Sequence, residues 1–301
     1  MQLKYLIISL MCLVGFFAFS QTDTGKAYNT KFTKVEGNIY MIEGKGGNIG
    51  MIYGKDGILL IDDQFEEGVP DLLKDIKNLS KKPIKYLVNT HHHGDHTGGN
   101  ALIAKEGTII FSHDNVRDRI DETIRSSNDK KTDYDILPVI TVSENMTFHF
   151  NGENILVFHV HEAHTDGDMM VYFFNSNVLH TGDILFNGKY PFIDLDSGGS
   201  LEGVLIALDK ILMIADENTK IIPGHGNLAT LNDVKYTKSM LVYLMKRVKH
   251  FVVNLKSEEE IVAMKEITQK YDEKGYGDGF ISTEKMIRTI YKEVVSKRGK
   301  R

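Results

Sequence analysis

The stretch Thr90-His91-His92-His93-Gly94-Asp95-His96-Thr97-Gly98-Gly99 follows directly on the apolar run Ile84-Lys85-Tyr86-Leu87-Val88-Asn89. Four imidazoles and a carboxylate within six positions make poor core material, because each needs its own partner once buried. They make good metal ligands. Alternation in an extended segment sends His91 and His93 to one side, and the turn at Gly94 brings Asp95 and His96 round to the other, so two adjacent metal sites can share this loop. A loose surface histidine tract has the same composition, and the rest of the chain has to decide between them.

Upstream, the pattern predicts strands over 32–35, 39–42, 48–53 and 58–61, separated by Gly-containing turns and forming an antiparallel meander. Gly44-Lys45-Gly46-Gly47 reads either as a plain hairpin loop or as a flap over a site. Leu72, Leu73, Ile76 and Leu79 recur at helical spacing from Val69, and Lys82-Pro83 marks the stop. Beyond the histidines, a short helix is predicted over 101–105, a strand over 108–111 and a charged helix over 115–127. Strands over 146–150, 155–161, 169–174 and 178–181, a helix over 201–214 and a last strand over 220–223 lead into Gly224-His225-Gly226. After Thr230 three apolar stripes predict helices to the end, the middle one opened by a capping box of Ser257 with Glu260. The order is that of an α/β chain.

The first residues, a lysine at Lys4 and an apolar run to Phe19, read as a signal peptide over 1–20, with residues 21–301 as a single domain that is helical from about 231. The apolar run is too short to span a bilayer, so the expectation is export to the periplasm or medium without a stable membrane anchor. The one cysteine, Cys12, falls inside that leader, which leaves no thiol for a disulfide, a thiolate ligand or a cysteine nucleophile. With 41 acidic against 36 basic residues and no basic run before Lys297, nucleic acid is excluded as a partner and a small-molecule substrate is expected. Nothing in the sequence speaks to the oligomeric state.

Three further loops carry metal-capable side chains at strand ends: His161-Glu162-Ala163-His164-Thr165-Asp166, Thr181-Gly182-Asp183 and Pro223-Gly224-His225-Gly226. With the H-x-H-x-D-H loop, in this order, they resemble the metallo-β-lactamase-fold hydrolase superfamily, over roughly Val35 to Gly226. The resemblance implies an αββα sandwich of two mixed β-sheets with flanking helices, here with a helical C-terminal extension. It also implies that His91, His93 and His164 hold one zinc, that Asp95, His96 and His225 hold a second, and that Asp183 bridges them. Imidazoles and carboxylates without thiolates suit zinc on their own chemistry. A water between two such ions ionises near neutral pH and becomes the nucleophile, with Asp95 as ligand and catalytic proton shuttle.

The other histidines, His92, His159, His161 and His180, read as packed or solvated rather than ligating. Asp62 reads equally as a carboxylate that fixes a ligand imidazole and as a turn cap. The segment 186–194 offers aromatics and Lys189 as a substrate rim, or as buried plugs.

The motif sets the attack machinery and leaves the bond open: an ester, thioester, lactone or amide. A true β-lactamase is one alternative. Against it, the cysteine-bearing β-lactamases have a thiolate where Asp183 stands and a lysine where Phe186 stands. Gly182-Asp183-Ile184-Leu185-Phe186 is more similar to glyoxalase II. The alternative from another class is a mononuclear iron dioxygenase using a subset of the same residues. Flavin-linked diiron relatives carry an acid where His93 stands.

Overall fold

The central strands of this chain are apolar on both faces, because two sheets stack and each is covered outside as well. The computed structural model describes residues 30–127 and 134–298, so the expected signal peptide, with Cys12, lies outside the described residues. The first sheet has seven strands in chain order: β1 (Lys31–Glu36), β2 (Ile39–Glu43), β3 (Ile49–Gly54), β4 (Gly57–Ile61), β5 (Ile84–Val88), β6 (Ile109–His113) and β7 (Ile140–Val142). β1 to β4 form the expected antiparallel meander, and β4 to β7 run parallel. Parallel neighbours need crossovers. These are α1 (Val69–Leu79), then α2 (Gly94–Thr97) with α3 (Asn100–Ala104), then α4 (Asp114–Ser126).

The second sheet takes β8 (Asn145–Phe150), β9 (Glu153–His159), β10 (Met169–Phe173), β11 (Val178–His180) and β12 (Lys220–Ile222) in the order β12-β11-β10-β9-β8, antiparallel except between β11 and β12. The connection from β11 to β12 passes through α5 (Leu201–Ile214). In β4, Leu59 and Ile61 pack between the sheets with Val88, Val157 and Val171. Ile58 and Leu60 point outward onto Leu72 and Ile76 of α1. That two-sided cover is why the strand reads as an unbroken apolar run.

The outer face of the second sheet is covered by α5 and by the C-terminal helices α6 (Leu231–Val253), α7 (Glu258–Val262), α8 (Gln269–Asp272) and α9 (Thr283–Arg298). Met170, Leu179 and Ile221 of the sheet join one core with Leu208, Leu241, Leu244, Ile287 and Ile290. The fold is therefore two mixed sheets between helical layers, with a helical C-terminal region.

Two expectations need correction. The middle C-terminal stripe of Ile261, Met264 and Ile267 is not one helix: α7 ends at Val262, Met264 leaves helical geometry at φ −80°, ψ 80°, and a 3-10 turn over Lys265–Ile267 follows. Ile261 and Ile267 are still buried, so the spacing reported burial rather than helix. β9 ends at His159, which leaves His161 exposed beyond the strand rather than on it. β7 was not expected, and its half-exposed Ile-Thr-Val carries little pattern to find.

Candidate metal centre

Five strands, β4, β5, β9, β11 and β12, release their chains into loops that meet at one place. His91, His93, His164 and Asp183 bring four ligand atoms within 4.8 Å of one another, and Asp95, His96 and His225 form a second such group beside them. His93 Nδ1 lies 3.1 Å from His91 Nε2 and 2.9 Å from His164 Nε2. Asp183 stands between the groups. Its Oδ2 is 3.5 Å from His164 Nε2 and 3.8 Å from His91 Nε2, while its Oδ1 is 3.1 Å from His96 Nε2 and 3.4 Å from His225 Nε2. Asp95 Oδ2 closes the second group at 3.3 Å from His225 Nε2 and 3.6 Å from His96 Nε2.

The far nitrogens of His91, His93, His96 and His164 fix which atom of each faces inward. His164 Nδ1 donates to the Phe192 carbonyl at 2.9 Å, and a carbonyl can only accept, so Nε2 carries the lone pair. His93 Nε2 donates to Asp194 Oδ2 at 3.0 Å, and His96 Nδ1 donates to Asp62 Oδ2 at 2.8 Å. His91 Nδ1 donates to Thr90 Oγ1 at 3.1 Å, and that hydroxyl donates on to Asp62 Oδ2 at 2.7 Å. Asp62 also accepts the Thr90 amide, in the left-handed backbone conformation at φ 65°. One carboxylate thus aims His96 directly and His91 through Thr90.

Converging lone pairs repel unless a proton or a cation lies between them. His96 Nε2 and Asp183 Oδ1 are buried and, though 3.1 Å apart, make no hydrogen bond with each other or anything else. Groups of this kind are costly unless something ligates them. The donor set of imidazoles and carboxylates fits zinc or a similar divalent ion. The field keeps Asp183 an anion. Burial favours the neutral acid at Asp183, yet the surrounding His96, His225 and His91 hold its carboxyl well below the usual range. Burial pushes His164 down to about 4, whereas His225 is raised to about 9, because Asp183 and Asp95 outweigh its burial.

Glycines let the backbone come this close. A Cβ added at Gly47 would lie 2.2 Å from the His96 ring, and one at Gly224 would lie 2.0 Å from Asp183 Oδ1. The Gly44–Gly47 turn is therefore a hairpin loop pressed against the ligand loop, with Gly47 N donating to Asp95 O at 3.0 Å. Lys189 points away: its Nζ donates to the Gly275 carbonyl at 2.8 Å. Phe186 stacks on His225 at 4.7 Å, and Phe192 stacks on His93 at 5.6 Å.

His92 is half-buried, pushed down to about 3 by burial and His93, with Nε2 3.5 Å from Ser197 Oγ. His159 stacks on His113, and His180 is buried between Asn48 O and Gly182 N. Asp194 was missed as a partner of His93. No local pattern marks it, since it lies 101 residues away along the chain.

The family model of the metallo-beta-lactamase superfamily matches residues 37–225. The chain belongs to this superfamily. Among its relatives, a hydroxyacylglutathione hydrolase of Pelagibacter ubique is 32% identical over 190 residues, which cover 62% of this chain and 65% of that protein. A probable metallo-hydrolase, YqgX of Bacillus subtilis, is 28% identical over 59% of this chain and 87% of its own length. The chain thus spans just under two thirds of the hydroxyacylglutathione hydrolase it matches. A solved metallo-beta-lactamase from Pontibacter korlensis shares the fold, with a TM-score of 0.61 at 21% identity over 71% of this chain and 99% of that one. The matched residues include the whole His/Asp cluster, from His91 to His225, and the two relatives named above carry hydrolase names.

Proposed function

We propose that this chain is an exported hydrolase that holds two zinc ions and cleaves an ester, thioester, lactone or amide bond of a small molecule. The observation that carries it is Asp183, whose two oxygens face two separate groups of three ligands. His91, His93 and His164 would hold one ion, and Asp95, His96 and His225 the other. Bound there, a zinc pair supplies Lewis acidity and a water acidic enough to ionise near neutral pH.

The chain's own residues do the rest. Asp62, Thr90, Asp194 and the Phe192 carbonyl orient the imidazoles. Asp95 stands at the mouth, held ionised by His225 against its burial, and can take a proton and pass it to the leaving group. Relatives named hydroxyacylglutathione hydrolase favour a thioester or ester. Tight β-lactam binding is disfavoured: Phe186 replaces the expected lysine and Lys189 is engaged with Gly275. A lost charge-assisted contact costs about 1.5–3 kcal/mol, roughly a factor of ten to a hundred or more.

One panel of a chromogenic cephalosporin, a lactone, a thioester and a phosphodiester, with and without chelator, tests the reading. Chelator-sensitive turnover of the thioester or lactone is expected. A kcat/KM for the cephalosporin well above all others and abolished by chelator makes the chain a true β-lactamase, and one bound iron per chain supports the dioxygenase. Export is tested by mass spectrometry of protein recovered from cells, where an intact Met1 overturns it.

A further inference from the structure

A row of aromatic rings leads from the ligand cluster to solvent. Phe192 lies against His93 with centroids 5.6 Å apart at 21°, and edge-on to His164 at 5.5 Å. Phe280, between α8 and α9, meets Phe192 edge-on at 5.6 Å. Phe280 is 72% exposed. One exposed Phe is ordinary on a protein surface, but this one continues an apolar track that reaches the ligand imidazoles.

The track is built in advance. Tyr190 OH donates to Asp272 Oδ1 at 3.0 Å, Lys189 Nζ to Gly275 O at 2.8 Å, and Asp194 N to His164 O at 2.9 Å. These bonds fasten the segment carrying Phe192 both to the C-terminal region and to the ligand loop. The Lys189 cation is thereby turned away from the track, and Lys285 Nζ lies over the ring of Phe280 at its outer end, 4.8 Å from the centroid.

We propose that Phe192 and Phe280 form a subsite for an apolar acyl group, alkyl or aryl, on the substrate; this rests on the hydrolase reading above. Asp95 and His225 belong to one ligand group and His93 and His164 to the other. A leaving group served by Asp95 therefore directs the acyl side over His93 and onto Phe192. Phe280 extends that surface outward, so the C-terminal region sets which acyl groups are preferred.

The test uses acetyl, butanoyl, hexanoyl and phenylacetyl thioesters of one thiol, N-acetylcysteamine, on the zinc-loaded full chain. Wild type is compared with Phe280→Ala, Phe280→Leu and, as a control, Met213→Ala, an exposed side chain on α5. The preference for hexanoyl over acetyl in kcat/KM is expected to fall about tenfold in Phe280→Ala, to return largely in Phe280→Leu and to hold in Met213→Ala. An equal loss on all four thioesters, or an unchanged preference, overturns the subsite. If wild type turns over none of the four thioesters, the bond is not a thioester, the panel above decides the hydrolase reading, and calorimetry with hexanoate and acetate decides the subsite by itself. Hexanoate bound about tenfold more tightly than acetate by wild type, and not by Phe280→Ala, supports it. Equal binding overturns it.

Discussion

Asp183 faces both ligand groups, and its removal should be felt in both. In Asp183→Ala the zinc content is expected to fall from two towards none, whereas His225→Ala should keep one ion, read by elemental analysis after gel filtration. A count that stays at two in Asp183→Ala rejects the shared carboxylate. Asp194 acts one shell out. Asp194→Asn keeps the shape but weakens the acceptor for His93 Nε2, and an outer-shell loss of this kind costs about 10- to 100-fold in metal affinity, measurable by chelator competition.

His180 adds a pH dependence. Its Nδ1 accepts from Gly182 N and its Nε2 donates to Asn48 O, so the buried ring is satisfied only when neutral, and burial pushes it down from 6.5 to about 4. The unfolded chain takes a proton there first. Stability is thus full above about pH 6.5 and is lost as the pH falls towards 4, by on the order of 3 kcal/mol. Urea midpoints between pH 4 and 7 should show a steeper acid loss for wild type than for His180→Gln. Parallel curves would assign the acid loss to other groups.

At the scale of elements, the ligand loops are legible because metal chemistry repeats a short pattern. H-x-H-x-D-H, Ala-His-Thr, Gly-Asp and Gly-His-Gly each sit just past an apolar run. What stayed hidden is what distant segments do for them. Asp62 was readable only as one of two roles, Asp194 not at all, and Phe280 lies in a segment whose pattern announced helices. Long-range partners leave no local period. The C-terminal stripe at Ile261 misled for a related reason, since both helix and turn can bury residues at that spacing. The β2–β3 hairpin makes an element-level test. Gly47→Ala puts a methyl group into the His96 ring, and the overpacking is expected to cost about 1–3 kcal/mol, seen as a lower melting temperature together with weaker zinc retention. An unchanged melting temperature would mean that the hairpin yields without effort.

For the whole molecule, the match to the superfamily ends at residue 225, but the packing does not. Met240, Leu241, Leu244, Met286, Ile287 and Ile290 are buried in the same core as the second sheet. A chain ending at Thr230 should lose that cover and be recovered aggregated or without cooperative unfolding. A soluble, cooperatively melting product would show that the helices are dispensable.

Glu293 of α9 gives this dependence an atomic form. Its carboxylate accepts the backbone amide of Leu201 at 2.6 Å, at the start of α5. Just before it, Ser200 N donates to Ala163 O and Asp194 N donates to His164 O. Glu293 follows every residue of the His/Asp cluster in the chain. This corner thus depends on a distant carboxylate: a chain cut between His225 and Glu293 keeps every residue of the His/Asp cluster and loses the acceptor that holds the start of α5 beside it.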